Sequence, residues 1–279
     1  MMTMFRLRLD RRRLCVGVAS LLAASALLAA TASAQTVAEI KAKGKLVVGI
    51  QGDNPPWGFV NAQGKQEGFD ADIAELFGKE LGVPVEFTPL AVANRIPALT
   101  TRKVDILFAT MAMFPDRAKA IQFSKPYAAN EINLVAPKAT KIASAADMAS
   151  LTIGVPRSSA QDTAVTKEAP NATIRRFDDD AATIQAMLSG QVQAVGGNQF
   201  YPMRLNQAKP DTFEAKLVFQ RIYNGAGTRM GQKEWNATAN AFVDKIKANG
   251  ELAKVYQKWM GATPPEFPES VEGVPFTVQ

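Results

Sequence analysis

One arrangement occurs twice in this chain and leaves few folds open to it. Leu46-Val47-Val48-Gly49-Ile50 is followed by a helical pattern, then by Val83 to Thr88, a second helix, and Lys103-Val104-Asp105-Ile106-Leu107. Roughly a hundred residues later Leu151-Thr152-Ile153-Gly154-Val155, Thr173 to Phe177 and Gln191-Val192-Gln193-Ala194-Val195 repeat that order, again with helical stretches between. Short apolar strands alternating with helices pack as parallel strands crossed by helices, so two α/β units of like plan are expected, about 35–128 and 129–221. The helix after Gly68 buries Ile73, Leu76, Phe77 and Leu81, with Asp70 and Asp72 placed to cap or favour its N-terminus. Asp178 to Asp180 read the same way for the helix Ala181 to Ser189. From Gln232 to Met260 the pattern is helical again, and its stripe of Phe242, Ile246, Leu252, Val255, Tyr256 and Trp259 needs a partner surface, expected on the first unit.

The N-terminal segment is of another kind. Arg6, Arg8, Arg11, Arg12 and Arg13 precede an Ala/Leu-rich run from Leu14 to Ala30, and Ala32-Ser33-Ala34 closes it with small residues. That order is a secretory signal peptide, residues 1–34, expected to be cut after Ala34; Arg11-Arg12 also allows a twin-arginine route. The whole chain carries a net charge of +6, but from Gln35 on it holds 27 basic and 25 acidic groups, a net +2. The case for nucleic-acid or membrane-surface binding goes with the signal, and a soluble periplasmic protein, expected to be a monomer, remains. The single cysteine, Cys15, leaves too, so the exported protein has no disulfide to rely on. There is no histidine, which excludes histidine-based triads and Cys/His zinc sites; no cofactor or metal is implied.

In open α/β sheets ligands bind beyond the carboxyl ends of the strands, where the strand order reverses. That directs attention to Gln51 to Trp57, Thr110 to Arg117, Pro156 to Gln161 and Gly196 to Phe200, facing one another across a cleft between the units. Together with Pro55-Pro56-Trp57-Gly58-Phe59, Gly68-Phe69-Asp70-Ala71-Asp72, Asn94-Arg95-Ile96-Pro97-Ala98-Leu99, Asp116-Arg117, Phe123-Ser124-Lys125-Pro126-Tyr127 and Lys258-Trp259-Met260-Gly261, these stretches resemble the periplasmic solute-binding proteins of polar amino-acid ABC transporters. The resemblance covers nearly all of the chain after Ala34. It implies a type II periplasmic binding fold, α/β, with two Rossmann-like lobes (35–128 plus 222–279, and 129–221) joined by two hinge strands. Such a protein closes over an amino acid or related small carboxylate and presents it to a membrane permease.

Carried onto this sequence, the resemblance makes Arg117 the residue that grips the ligand's carboxylate, a role suited to a planar guanidinium fork. Arg95 and Arg157 are the next candidates, and both bear on the site if the ligand carries a second acid group. It places Gln51, Asn54, Trp57 and Thr110 on the first wall, and Ser159 and Ala160 at the helix start that offers backbone N–H groups to an anion. Three positions depart from the pattern. Ala112 stands where a hydroxyl is usual, Val92 where many relatives have an aromatic, and Asn198 where an aspartate usually pairs with the ligand's ammonium. These departures predict a preference for an amine-free or modified carboxylate over standard α-amino acids, the family default, unless Asp53 or Asp162 supplies the missing charge. The alternative function is an enzyme on the same scaffold, similar to the cyclohexadienyl dehydratases; Asn198 cannot act as an acid, which disfavours it.

Overall fold

The computed structural model describes residues 35–278, and the expected signal peptide lies outside the described residues. In chain order the first half contains α1 (Val37–Lys43), β1 (Leu46–Ile50), β2 (Asp53–Asn54), β3 (Gly58–Val60), β4 (Gln66–Glu67), α2 (Phe69–Leu81), β5 (Val85–Pro89), α3 (Val92–Thr100), β6 (Ile106–Leu107), α4 (Pro115–Ala118) and β7 (Ile121–Pro137). The second half contains β8 (Thr152–Pro156), α5 (Ala160–Glu168), β9 (Thr173–Phe177), α6 (Asp180–Leu188), β10 (Ala194–Asn198) and α7 (Tyr201–Ala208). The chain then returns through β11 (Phe213–Arg229) to α8 (Lys233–Ala248) and α9 (Glu251–Met260).

Eight strands form one sheet in the order β5-β1-β6-β11-β7-β10-β8-β9. At one end β1 lies between β5 and β6, parallel to both; at the other β8 lies between β9 and β10, also parallel to both. Each half thus has its first strand in the middle, the reversal of order that opens a crevice at the strand ends. Between the halves run β7 and β11, 17 residues each and antiparallel from Phe213 opposite Pro137 to Arg229 opposite Ile121. Their ladder is interrupted by four register shifts, one of them between Val218 and Gln220. Such irregularities bend and twist a strand, and here they let two strands serve both halves.

Helices α8 and α9 return to the first half. Phe242, Ile246, Leu252, Val255 and Tyr256 share one buried cluster with Val48, Ile106, Phe108, Ile73 and Phe77. At the start of α2, Asp70 and Asp72 lie in the first turn, where their charge favours the N-terminus, but the expected cap is not made by either. The N-cap is Gly68, at φ 122°. A Cβ at residue 68 would lie 2.6 Å from the carbonyl oxygen of Trp57, so only glycine fits that approach. Asp72 instead accepts from Trp259 Nε1 (2.7 Å) and Lys258 Nζ (2.6 Å), fastening α9 to α2, while Asp70 turns inward. Among the described residues, no helix is long and apolar enough to cross a membrane.

Candidate functional site

Where the two halves meet, a narrow cavity of about 20 Å³ is lined by Gln51, Asn54, Val92, Arg95, Thr110, Arg117, Asn130, Ser159, Ala160, Gln161, Asp180 and Ile222. Gln51 follows β1, Thr110 follows β6, and Ser159 to Gln161 follow β8, so the strand ends of both halves converge there. A larger groove of about 460 Å³ between α2 and α9 is open and rimmed by charges that pair with one another, such as Lys258 with Asp72 and Lys254 with Glu251.

Two guanidiniums enter the cavity. Arg117 donates from Nη1 to Ala112 O (3.3 Å) and from Nη2 across the cleft to Ser158 O (3.0 Å), with its head 5.5 Å from the Phe114 ring centre. Burial and the neighbouring positive charge of Arg95 lower its pKa to about 10, so it stays charged at neutral pH. Arg95 is 2% exposed and donates from Nη1 to Ala109 O (2.6 Å) and Thr110 Oγ1 (3.3 Å). Its Nε and Nη2, and Oδ1 of Asn130, are buried without a hydrogen-bond partner in the protein. Such atoms carry the full cost of desolvation until something pairs with them.

One lining residue carries negative charge. Asp180 accepts from Gln51 Nε2 (2.5 Å) and from Tyr201 OH (2.6 Å), and burial, helped by the charge of Asp53, raises its pKa to about 6. Tyr201 comes this close because residue 197 is glycine; a Cβ there would meet the Tyr201 ring at 2.3 Å. Asp179, one residue earlier, takes the capping role by accepting from Ala182 N at 2.7 Å. Gln51 links the two walls: besides its bond to Asp180, its Oε1 accepts from Thr110 Oγ1 (2.8 Å) and Asn54 Nδ2 (3.4 Å).

The loop carrying Thr110 is held from behind. Asp70 accepts from Thr110 N (2.7 Å) and Tyr127 OH (2.7 Å), and burial raises its pKa to about 6. Thr110 has φ 45° and Ser158, at the matching corner of the second half, φ 59°. Non-glycine residues adopt that region at a cost, and such costs concentrate at functional sites. Ser159 caps α5 by accepting from Asp162 N (3.0 Å).

Of the residues singled out from sequence, Gln51, Asn54, Val92, Thr110, Arg117, Ser159 and Ala160 line the cavity. Trp57, Ala112 and Asn198 do not. Trp57 is fully buried in the core, edge-on to Phe69 and Phe200. Ala112 contributes only the carbonyl that receives Arg117. Asn198 spends its side chain on Asn54 Oδ1 (3.1 Å) and Phe200 N (2.9 Å). Neither fallback carboxylate reaches the cavity lining either: Asp162 binds Arg176 (2.9 Å) and Asp53 accepts from Ala181 N (2.9 Å). The carboxylate that does reach it is expected from sequence only as a helix cap. Of the two arginines expected next after Arg117, Arg95 lines the cavity and Arg157 does not. Arg95 and Asp180 each sit on the buried stripe of their own helix: Arg95 with Ala98 and Leu99, Asp180 with Thr183, Ile184 and Met187. A charge at a core-facing period is a signal in itself.

Residues 46–262 match the model of the bacterial extracellular solute-binding proteins, family 3. The L-cystine-binding protein TcyJ of Escherichia coli (strain K12) is 25% identical over 227 residues, covering 80% of this chain and 85% of its own. A crystal structure of the solute receptors for L-cysteine of Neisseria gonorrhoeae superposes with a TM-score of 0.77 at 30% identity, over 81% of this chain and 94% of that one. The ancestral amino acid-binding protein AncCDT-1, a precursor of cyclohexadienyl dehydratase, gives a TM-score of 0.74 at 32% identity, over 81% of this chain and 99% of that one. With a match running from the first strand to just past the last helix, over the sheet order of a type II periplasmic binding fold, the chain belongs to the bacterial extracellular solute-binding proteins of family 3.

Proposed function

We propose that this protein is the solute-binding component of an ABC importer. Exported and cut after Ala34, it works in the periplasm as a monomer. Its lobes, 35–128 plus 222–279 and 129–221, close over a small amino acid, which it hands to a membrane permease. The observation that carries this reading is the convergence of Arg117, Arg95 and Asp180 on one small cavity lined from both halves, with Arg95 Nε and Nη2 buried and unpaired.

The roles follow from the chemistry of the groups. Arg117 forks the α-carboxylate, as in the sequence reading. Asp180 supplies the charge that Asn198 lacks, which removes the ground for expecting an amine-free ligand; an ammonium group would find there a buried carboxylate already oriented by Gln51 and Tyr201. The side-on pair Nε and Nη2 of Arg95 calls for two oxygens, and a second carboxylate satisfies both. A dicarboxylic amino acid is therefore the ligand of best fit. The enzyme reading is disfavoured because both oxygens of Asp180 accept hydrogen bonds, leaving no acid proton aimed at the cavity. The relatives named above, a cystine-binding protein and a cysteine receptor among them, support binding without turnover.

Calorimetry with each amino acid beside its 2-oxo and side-chain amide analogues tests this. Acidic amino acids should bind at least about tenfold more tightly than both analogues, about 1.4 kcal/mol. Tighter binding of the 2-oxo acids would remove Asp180 from the site, and equal binding of the amides would remove Arg95. Mass analysis of the recovered ligand after incubation should find it unchanged.

A further inference from the structure

Gln35, the residue that follows the proposed cut, is docked into the fold and only 5% exposed. Its Oε1 accepts from Nη2 of Arg229. With the Gln232 amide turned so that its oxygen faces these donors, that oxygen accepts from the main-chain nitrogen of Gln35 at 3.0 Å and from Arg229 Nε at 3.2 Å. Its Nε2 is buried with no hydrogen-bond partner. Arg229 is held in place by the carbonyls of Leu99 (3.2 Å) and Val104 (2.9 Å). The carboxylates near this spot are engaged. Asp105 binds Lys43 and Val47 N, and Glu39 accepts from Thr36 N within the capping box of α1.

Cleavage after Ala34 would turn that main-chain nitrogen into an ammonium, since an α-amino group titrates near about 7.7–8.0. It would sit beside the Arg229 guanidinium with one acceptor already shared. A buried charge facing a like charge is strongly disfavoured, and the unpaired Nε2 adds its own desolvation cost.

We propose that Gln35 is a modification site: once freed by the signal cut, it cyclises to pyroglutamate. The lone pair of the uncharged α-amino nitrogen attacks Cδ, the Cδ–Nε2 bond breaks, and Nε2 leaves with the displaced proton as ammonia; no co-reactant is needed. The lactam retains one carbonyl oxygen for Arg229 and one N–H for Gln232. It has lost the charge and the orphan amide nitrogen, the two groups the surroundings do not accommodate. This inference rests on the cleavage site proposed above.

The test uses the full chain exported from cells, with intact mass and N-terminal peptide mass taken directly from the extract. The N-terminal peptide should begin at Gln35, be lighter by one ammonia and yield nothing in the first Edman cycle. The same peptide at unmodified mass with a free amine would overturn the cyclisation and leave the cut standing, whereas a different first residue would overturn both. Pyroglutamyl aminopeptidase should release the residue from the denatured protein and not from the native one; equal release from both would overturn the docked lactam.

Discussion

Arg117 and Asp180 make opposite demands on the same cavity, and each can be tested singly. Arg117→Ala removes a fork whose hydrogen bonds go to the carbonyls of Ala112 and Ser158 and whose head lies over Phe114, so the fold should survive while affinity falls on the order of 2–5 kcal/mol, roughly thirty- to several-thousand-fold. Calorimetry together with an unchanged melting curve would show it; an affinity within about threefold of the parent would move the carboxylate elsewhere. Asp180 has a pKa raised to about 6, so protonation should weaken binding of an ammonium-bearing ligand as pH drops below that value. Asp180→Asn should weaken binding at pH 7 by about tenfold or more and flatten that pH dependence, which a series of titrations between pH 5 and 8 would reveal. A pH dependence that survives the substitution would assign it to another group.

At the scale of elements, α2 does two jobs with two charges, Asp70 and Asp72, that its amphipathic pattern does not announce. Asp70 shares the buried stripe of Ile73, Ala74, Phe77 and Leu81, yet it holds the Thr110 loop and Tyr127 rather than core. Asp72 and Lys79 lie on the other side, where Asp72 ties in α9 through Trp259 and Lys258. Asp70→Ala should strand Thr110 N and Tyr127 OH, at about 1–3 kcal/mol for each buried group left unpaired. Denaturant unfolding should show the loss, and ligand affinity should fall with it because Thr110 loses its anchor. A variant as stable as the parent would mean that water replaces the carboxylate.

Across the whole molecule the two buried carboxylates set an unusual pH response. The pKa values of Asp70 and Asp180 are raised from 3.8 to about 6, so between those values the folded chain binds more protons than the unfolded one. Stability should therefore rise as pH falls from 7 toward about 5, by on the order of 1 kcal/mol per group. The exposed carboxylates Glu86, Asp116 and Asp147, with lowered pKa values, oppose this only below their ordinary range of 3.8–4.5. Melting of the ligand-free protein at pH 5 and 7 checks the sign; a higher melting temperature at pH 7 would contradict it. Contacts such as Arg204 Nη2 to Asp53 O (2.9 Å) and Asn198 to Asn54 join the halves directly. Few residues of β7 and β11 need move to part them, so small-angle scattering should report compaction on adding ligand. An unchanged radius at saturation would argue against closure.

What the sequence determined by itself was whatever local periodicity controls. The twice-used strand–helix order, the apolar stripe of α8 and α9 and the strand-end positions of Gln51, Thr110 and Ser159 follow from side-chain spacing and from the geometry of parallel sheets. Tertiary structure alone decided which polar side chains were free to meet a ligand, because that depends on partners brought from far along the chain. Asn198 could be aligned with a ligand-contacting position, but Asn54, 144 residues away, consumes it. Asp180 could be taken for a cap until Gln51, 129 residues away, and Tyr201 turned it into the cavity's carboxylate. Trp57, expected on the wall, lies in the core because Phe69 and Phe200 enclose it. A hydrogen-bonding group has a fixed number of bonds to give, and only the folded chain shows which of them have already been given.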